Sequence, residues 1–124
     1  ASFKIEMTID ASSGVSNNFG VAFGAYEDQQ DVFRINFDLT SSNAYGCPAL
    51  FMTHDNKEYN FTPLVVPEDK IFNIKIVAEE SVCVMYVNGT TAFSNRIYAM
   101  NQNPWMIFAE QGTVKFSNIR IYKQ

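Results

Sequence analysis

Residues 82–98 read VCVMYVNGTTAFSNRIY, and this stretch carries the clearest indication of the fold. Its Asn88-Gly89 pair is a strong hairpin signal, because both residues tolerate the positive φ angles of a two-residue type I′ turn. An apolar run, Val82–Val87, precedes the pair, and a second strand, Thr91–Tyr98, follows it. Since the run is apolar on both faces, we expect it to form a central strand. The stretch therefore predicts an antiparallel β-hairpin.

Apolar and polar residues alternate with a period of two through most of the remaining chain. This period predicts strands with one buried face, and turn residues separate them about every ten residues. No segment carries the 3.6-residue period of an amphipathic helix. The predicted strands are Phe3–Ile9, Phe19–Ala25, Phe33–Leu39, Leu50–Thr53, Tyr59–Val66, Phe72–Ile76, Val82–Val87, Thr91–Tyr98, Trp105–Ala109 and Val114–Tyr122. Because two half-apolar sheets bury their faces against each other, we expect an all-β, antiparallel two-sheet β-sandwich.

Length and composition limit the classes of protein to which the chain can belong. With 124 residues, 47% of them apolar, it can form one sizeable core, and we expect a single domain over residues 1–124. No apolar run approaches the roughly 18 residues that a spanning helix needs. The net charge of −4 disfavours binding to nucleic acid or to an anionic membrane, because phosphate binding depends on clustered Lys and Arg.

The cysteines and the histidine give no indication of a metal site. Cys47 and Cys83 allow one disulfide bond or none, and we favour two free, buried thiols because a core of this size needs no covalent staple. The one histidine, His54, lies in a predicted loop without a second His or Cys at zinc spacing. We therefore expect no metal ion and no cofactor.

Catalytic groups are not apparent either. Glycosidases use a pair of carboxylates that flank the scissile bond. Here the pairs Glu27-Asp28 and Glu79-Glu80 lie in predicted turns, away from a strand face. The sequence also contains no nucleophile elbow and no phosphate-binding glycine loop. We expect no enzymatic activity.

The outward faces of two neighbouring predicted strands differ in chemistry. The outward face of the predicted strand 19–25 carries the small residues Gly20, Ala22 and Gly24. The outward face of the predicted strand 33–39 carries the polar residues Arg34, Asn36 and Asp38. Two interpretations stay open for this polar ladder. It holds a sugar, whose hydroxyls need bidentate polar partners beside a flat floor, or it simply hydrates the sheet while Arg34 pairs with a nearby carboxylate.

Parts of the C-terminal half then resemble a known family. The resemblance is carried by the Val-Asn-Gly turn at residues 87–89, by the strand at 105–108, and by the closing Phe-Ser-Asn-Ile-Arg strand at 116–120. These pieces resemble the C-terminal β-sandwich of glycoside hydrolase family 32, the levanases, inulinases and invertases, and the likeness extends over residues 3–122. The resemblance implies a concanavalin A-like jelly roll and a non-catalytic accessory module, because the family's catalytic carboxylates lie in a separate five-bladed propeller.

Within that group the chain is similar to family 66 carbohydrate-binding modules, which recognise terminal fructosides of levan in a shallow polar pocket. The implied ligand-binding residues are Glu27, Arg34, Asn36, Tyr98, Trp105, Glu110 and Gln111. In this resemblance Arg34 donates hydrogen bonds to fructose hydroxyls, and Glu27 and Glu110 accept them. Trp105 or Tyr98 supplies a flat wall. From the residues alone, core packing is the alternative for Trp105, and a solvated carboxylate is the alternative for Glu110.

The implied partners are fructan chain ends and a catalytic domain of the same polypeptide, in the extracellular or periplasmic space. Many sandwiches of this family instead support the propeller structurally and bind no sugar. That alternative predicts an apolar patch on an outer face, for which Val82–Val87 is the candidate. A lectin-like domain for another glycan is a third interpretation, although the sequence around Arg34 and Trp105 does not reproduce the runs that mark galectins.

Overall fold

The computed structural model describes residues 2–13, 18–24, 32–97, 105–110 and 112–123. These ranges contain ten strands and no helix, so the predicted all-β fold is confirmed. It follows that none of the described segments is a helix able to cross a membrane. The strands are β1 (Ser2–Asp10), β2 (Phe19–Phe23), β3 (Phe33–Asp38), β4 (Ala49–His54), β5 (Lys57–Pro63), β6 (Ile71–Glu79), β7 (Val82–Val87), β8 (Thr91–Arg96), β9 (Trp105–Ala109) and β10 (Lys115–Lys123).

The strands form two five-stranded antiparallel sheets. Sheet I has the order β10-β1-β6-β7-β8, and sheet II has the order β5-β4-β3-β2-β9. In sheet II, strands β2 to β5 pair in sequence order, and β9 joins the other edge of β2. In sheet I, β1 lies between β6 and β10. This arrangement confirms the predicted two-sheet β-sandwich.

The Asn-Gly hairpin forms where the sequence predicts it. Asn88 and Gly89 have φ angles of 52° and 67°, the two positive values that a type I′ turn requires. The Asn88 side chain adds a tie to the neighbouring strand, because its Oδ1 accepts a hydrogen bond from the backbone N–H of Asn73 at 2.7 Å. The turn therefore fixes the register of β7 against β8 and also anchors the hairpin to β6.

Val82–Val87 forms the central strand that the sequence predicts, although only one of its two apolar faces is buried. Strand β7 is paired on both sides, with β6 and β8, as a central strand should be. Its outer face nevertheless lies open, with Val82 and Tyr86 each 38% exposed. A two-layer sandwich covers only one face of each sheet, so apolar residues on both sides of a strand do not imply burial on both sides.

The core is formed by the inward-facing residues of both sheets. Ile5 and Ile9 of β1 are fully buried. The rings of Phe19 and Phe37 stack with centroids 5.0 Å apart, and Phe72 of sheet I meets Phe37 edge-on at 5.4 Å. The aromatic contact thus joins the two sheets, and full burial of each such side chain contributes about 1.5–3 kcal/mol.

One strand boundary differs from the prediction. The strand expected at Tyr59–Val66 is β5, Lys57–Pro63. It ends at Pro63, which has no N–H to continue a ladder. The next backbone N–H, that of Leu64, donates instead to the carbonyl oxygen of Pro48 at 2.9 Å.

Both cysteines are free thiols. Cys83 is buried, whereas Cys47 is only partly buried. Burial raises the pKa of the Cys83 thiol to about 12, because the apolar core disfavours the thiolate. Cys83 therefore behaves as a small core residue.

Candidate functional site

The outer face of sheet II carries the polar ladder that the sequence indicates. The register pairs Arg34 of β3 with Ala22 of β2 and with Thr53 of β4. Two residues along β3, Asn36 is paired with Gly20 of β2. Because alternate residues of a strand share one face, all of these positions lie on the same outer surface. The polar and the small residues are therefore neighbours.

The Arg34 side chain crosses β2. Its guanidinium carbon lies 5.1 Å from the centroid of the Phe108 ring, and Phe108 belongs to β9 on the far side of β2. Its Nη1 lies 2.6 Å from Oε1 of Glu110. Ala22, on the strand that is crossed, is only 1% exposed. The small residues thus make room for Arg34, and they are not an exposed floor for a ligand.

A separate steric constraint explains why a glycine occupies position 20. A Cβ at this position would lie 1.9 Å from the carbonyl oxygen of Ile35 on the neighbouring strand. Its φ angle of 155° is one that residues with side chains rarely adopt. The neighbour whose close approach requires a glycine at position 20 is therefore strand β3, and no ligand is needed to explain Gly20.

Glu110 is a paired carboxylate at the end of β9. Its Oε1 accepts from Arg34, and its Oε2 accepts from Nδ2 of Asn18 at 2.8 Å. The backbone N–H of Glu110 also donates to the carbonyl oxygen of Asn18 at 2.8 Å. The side chain remains 48% exposed. Arg34, Glu110 and Asn18 thus form a preassembled polar cluster, which we call the Arg34 cluster.

Asn36 is committed to the sheet itself. Its Nδ2 lies within hydrogen-bond distance of the carbonyl oxygens of Arg34 at 3.1 Å and Phe51 at 3.2 Å, and of Thr53 Oγ1 at 3.1 Å. The residue is buried. Its main effect is therefore to hold β3 and β4 together beneath the site.

A cavity of about 360 Å³ opens in front of this face. Its lining includes Arg34 and Glu110 at one side, with Tyr45 and Glu58 at the other. The Tyr45 hydroxyl donates a short hydrogen bond to Oε1 of Glu58. This bond, with a smaller contribution from burial, raises the pKa of Tyr45, because the neutral phenol is the donor. The cavity thus combines a cationic and acidic end with an aromatic end.

The aromatic end is not among the features predicted from the sequence. Tyr45 lies in the loop between β3 and β4, and its ring stacks on that of Phe61 with centroids 3.7 Å apart and planes inclined by 17°. Phe51 lies beside it at 5.6 Å. One signal was available, because Phe51 and Phe61 occupy outward positions opposite each other on paired strands. Large aromatic residues at such positions indicate a surface cluster.

Trp105 is a predicted site residue that the structure places in the core and not at this cavity. Trp105 pairs with the buried Phe23 across β9 and β2 and packs against the hydrophobic core. It is therefore not among the described residues that line the cavity. Its strand register points it inward, which is the core-packing alternative. The remaining three predicted residues, Glu27, Tyr98 and Gln111, lie outside the described residues.

His54 is part of an aromatic contact. Its ring stacks on Phe33 with centroids 4.2 Å apart, and its Nε2 lies 3.6 Å from Oδ2 of Asp55. Within the described ranges, no group of three or more His, Cys, Asp or Glu side chains is placed to hold a metal ion.

The chain matches a known protein family over almost its whole length. Residues 1–121 match the family model described as GH32, BT1760-like, C-terminal domain. Among solved structures, a β-fructofuranosidase from Aspergillus kawachii, complexed with glycerol, is similar with a TM-score of 0.71 at 16% identity. That similarity covers 98% of this chain but only 23% of the fructofuranosidase, so the chain spans less than a quarter of that protein.

Two smaller structures share the fold over most of their length. The carbohydrate binding module CBM66 from Bacillus subtilis has a TM-score of 0.68 at 15% identity, over 99% of this chain and 78% of the module. A double mutant of congerin II has a TM-score of 0.67 at 10% identity, over 96% and 90% of the two chains. No curated protein sequence matches significantly. At these identities the structural similarities establish the fold.

Proposed function

The chain belongs to the GH32 BT1760-like C-terminal domain family, and from that membership we propose that it binds the terminal fructose units of a fructan such as levan. The C-terminal domain of GH32 is a non-catalytic module, so the expectation that the chain is not an enzyme is confirmed. The proposed site is the cavity in front of the Arg34 cluster. Its ligand is a carbohydrate chain end, and its partner is a catalytic domain of the same polypeptide.

The observation that carries the proposal is a guanidinium and a half-exposed carboxylate held side by side at a cavity. Arg34 uses Nη1 for Glu110, and a guanidinium has five N–H donors in all. Each carboxylate oxygen of Glu110 accepts one bond and has a further lone pair. Neighbouring sugar hydroxyls both donate and accept, so this pair can hold two of them with charge-assisted hydrogen bonds.

The size and openness of the site suit a weak binding module. A volume of about 360 Å³ lies at the small end of the range for small-molecule sites, about 300–1,000 Å³. Attachment to a hydrolase raises the effective concentration of substrate, so affinities between millimolar and micromolar suffice. We also propose that the module acts in the extracellular or periplasmic space, where the fructan polymer would be degraded.

The test is isothermal titration of the domain with levan, with a short fructo-oligosaccharide and with inulin. Saturable heat with levan and the short chain is expected, and Arg34→Ala and Glu110→Gln should each abolish it. Arg120→Ala is the matched control, because Arg120 is exposed on sheet I, away from the site. If Arg34→Ala binds fructan as the parent does, the site assignment is wrong.

A second candidate is structural packing against a catalytic propeller. It is favoured by the exposed apolar row on the outer face of β7, where Val82 and Tyr86 flank the partly buried Val84. A domain with only this role gives no heat with any fructan. It would lose binding to a separately expressed propeller after Val82→Lys with Tyr86→Lys, while Arg34→Ala would leave that binding intact.

A further inference from the structure

We propose that the cavity accepts two consecutive sugar rings of a glycan, the terminal ring at the Arg34 cluster and the next ring on Tyr45. The inference rests on the proposed function and deepens it, because it assigns a second subsite and names an oligosaccharide as the preferred ligand. It comes from the aromatic end of the cavity, which the Arg34 cluster leaves unused.

The two ends of the cavity are separated by the width of several strands. The Arg34 guanidinium lies over Phe108 of β9, whereas Glu58 and Phe61 belong to β5 at the opposite edge of sheet II. Arg34, Thr53 and Glu58 are register partners on β3, β4 and β5, and adjacent strands lie about 4.8 Å apart, so the backbones of Arg34 and Glu58 are separated by about 10 Å. A ring held by the Arg34 cluster therefore leaves the aromatic end uncovered, and the next ring of the chain continues toward Tyr45.

The aromatic end is built as an exposed platform. Tyr45 is 41% exposed and Phe61 is 38% exposed, yet their rings stack face to face. Tyr45 lines the cavity, and Phe61 supports its ring. Neither side chain belongs to the core cluster between the sheets. An exposed stacked pair beside polar groups is the surface on which the apolar face of a sugar ring packs.

Hydrogen bonds hold Tyr45 in place before any ligand binds. Nδ2 of Asn43 donates to the carbonyl oxygen of Cys47 at 2.7 Å, and Oδ1 of Asn43 accepts from the backbone N–H of Tyr45 at 2.9 Å. The Tyr45 hydroxyl is tied to Glu58. A platform fixed in this way loses little conformational entropy on binding, so its contact area contributes to affinity.

The polar part of the platform fits a ring that also carries hydroxyls. Glu58 lines the cavity next to Tyr45, and Thr53 lies between Glu58 and Arg34 on the outer face. A sugar ring packed on Tyr45 therefore meets a carboxylate at its edge. This gives the second subsite the same combination of flat surface and acceptor that glycan recognition requires.

The experiment compares a one-ring and a two-ring probe by isothermal titration. Methyl β-D-fructofuranoside and the β-2,6-linked disaccharide levanbiose are titrated into the parent, Tyr45→Ala and Tyr45→Phe. We expect the parent to bind levanbiose about tenfold more tightly than the monosaccharide, on the basis of one added aromatic contact. Tyr45→Ala should remove that preference without changing monosaccharide affinity, and Tyr45→Phe should largely retain it.

Tyr86→Ala is the matched control, because Tyr86 is 38% exposed and lies on sheet I. It should leave both affinities unchanged. Equal affinity of the parent for both probes, or an unchanged preference in Tyr45→Ala, would overturn the second subsite and leave the proposed function intact. An equal loss for both probes in Tyr45→Ala would also overturn it. If the parent binds neither these probes nor levan, the proposed function itself fails.

Discussion

Replacement of Gly20 by alanine tests the packing that positions the Arg34 cluster. Gly20 lies on β2, directly beside β3, and a Cβ there would approach the carbonyl oxygen of Ile35 to 1.9 Å. The obstacle is backbone, so no side-chain rotation can relieve it. We expect Gly20→Ala to push β2 and β3 apart where they pair and to destabilise the whole domain.

Two effects set the size of this loss. A φ angle of 155° is almost confined to glycine, and an alanine there costs about 1–3 kcal/mol. Moving the two atoms from 1.9 Å to beyond 3.0 Å displaces packed backbone, and overpacking of this kind costs about 1–3 kcal/mol. The free energy of unfolding should therefore fall by about 4 kcal/mol, which lowers the Tm by about 12–20 °C for a domain of this size.

Urea unfolding followed by tryptophan fluorescence or circular dichroism measures the loss. Gly89→Ala is the matched control, because Gly89 also has a positive φ, 67°, but a Cβ at that position would meet none of the described residues beyond its chain neighbours within 4 Å. That variant should lose only about 1–2 kcal/mol, the cost of the left-handed conformation. If Gly20→Ala is no more destabilised than Gly89→Ala, the steric argument for Gly20 is refuted.

Three further predictions concern other parts of the molecule. Asn43→Ala removes four side-chain hydrogen bonds of its loop, of which the two shortest join Cys47 and Tyr45, and should lower the unfolding free energy by about 1–2 kcal/mol in urea titrations. Hydrogen bonds from Ser12 hold the pKa of Asp10 below its ordinary value of 3.8, so they stabilise the fold above that pH and are lost as the pH falls through the folded pKa. Ser12→Ala should therefore lower the Tm at neutral pH more than at about pH 2. With a thiol reagent such as Ellman's, Cys47 should react first in the native protein, and Cys83 should react only after unfolding, because its pKa is about 12.

Much of the fold follows from local patterns. The alternation in β1 assigns Ile5 and Ile9 to the core, and the Asn88-Gly89 pair locates a hairpin without knowledge of the rest of the chain. Such patterns say which residues share a face, but not what covers that face. The run Val82–Val87, for example, is apolar on both faces, yet only its inner face is covered.

The site was less accessible to sequence reasoning, because it depends on contacts between distant parts of the chain. Arg34 and Glu110 are 76 positions apart and meet only because β9 joins the edge of β2. Their charged side chains made both residues candidates from the sequence, but only the order of the strands in sheet II shows that they meet. The stack of Tyr45 on Phe61 depends on how the loop after β3 folds back over the sheet, and no periodicity specifies that path.

On strand β3, the residues that stabilise the fold and the residue proposed to bind the ligand lie on opposite faces. Ile35 and Phe37 face the core and are fully buried, whereas Arg34, the residue before Ile35, faces outward. Outer-face substitutions such as Arg34→Ala should therefore alter binding with little effect on folding. Gly20 is the exception, because its position faces outward while its missing Cβ permits the backbone pairing. The same small residues that let β2 approach β3 leave the path over which Arg34 reaches Glu110. The recognition cluster is thus placed by strand pairing, so a change that shifts the register of β2 should abolish ligand binding even where every cluster residue is retained.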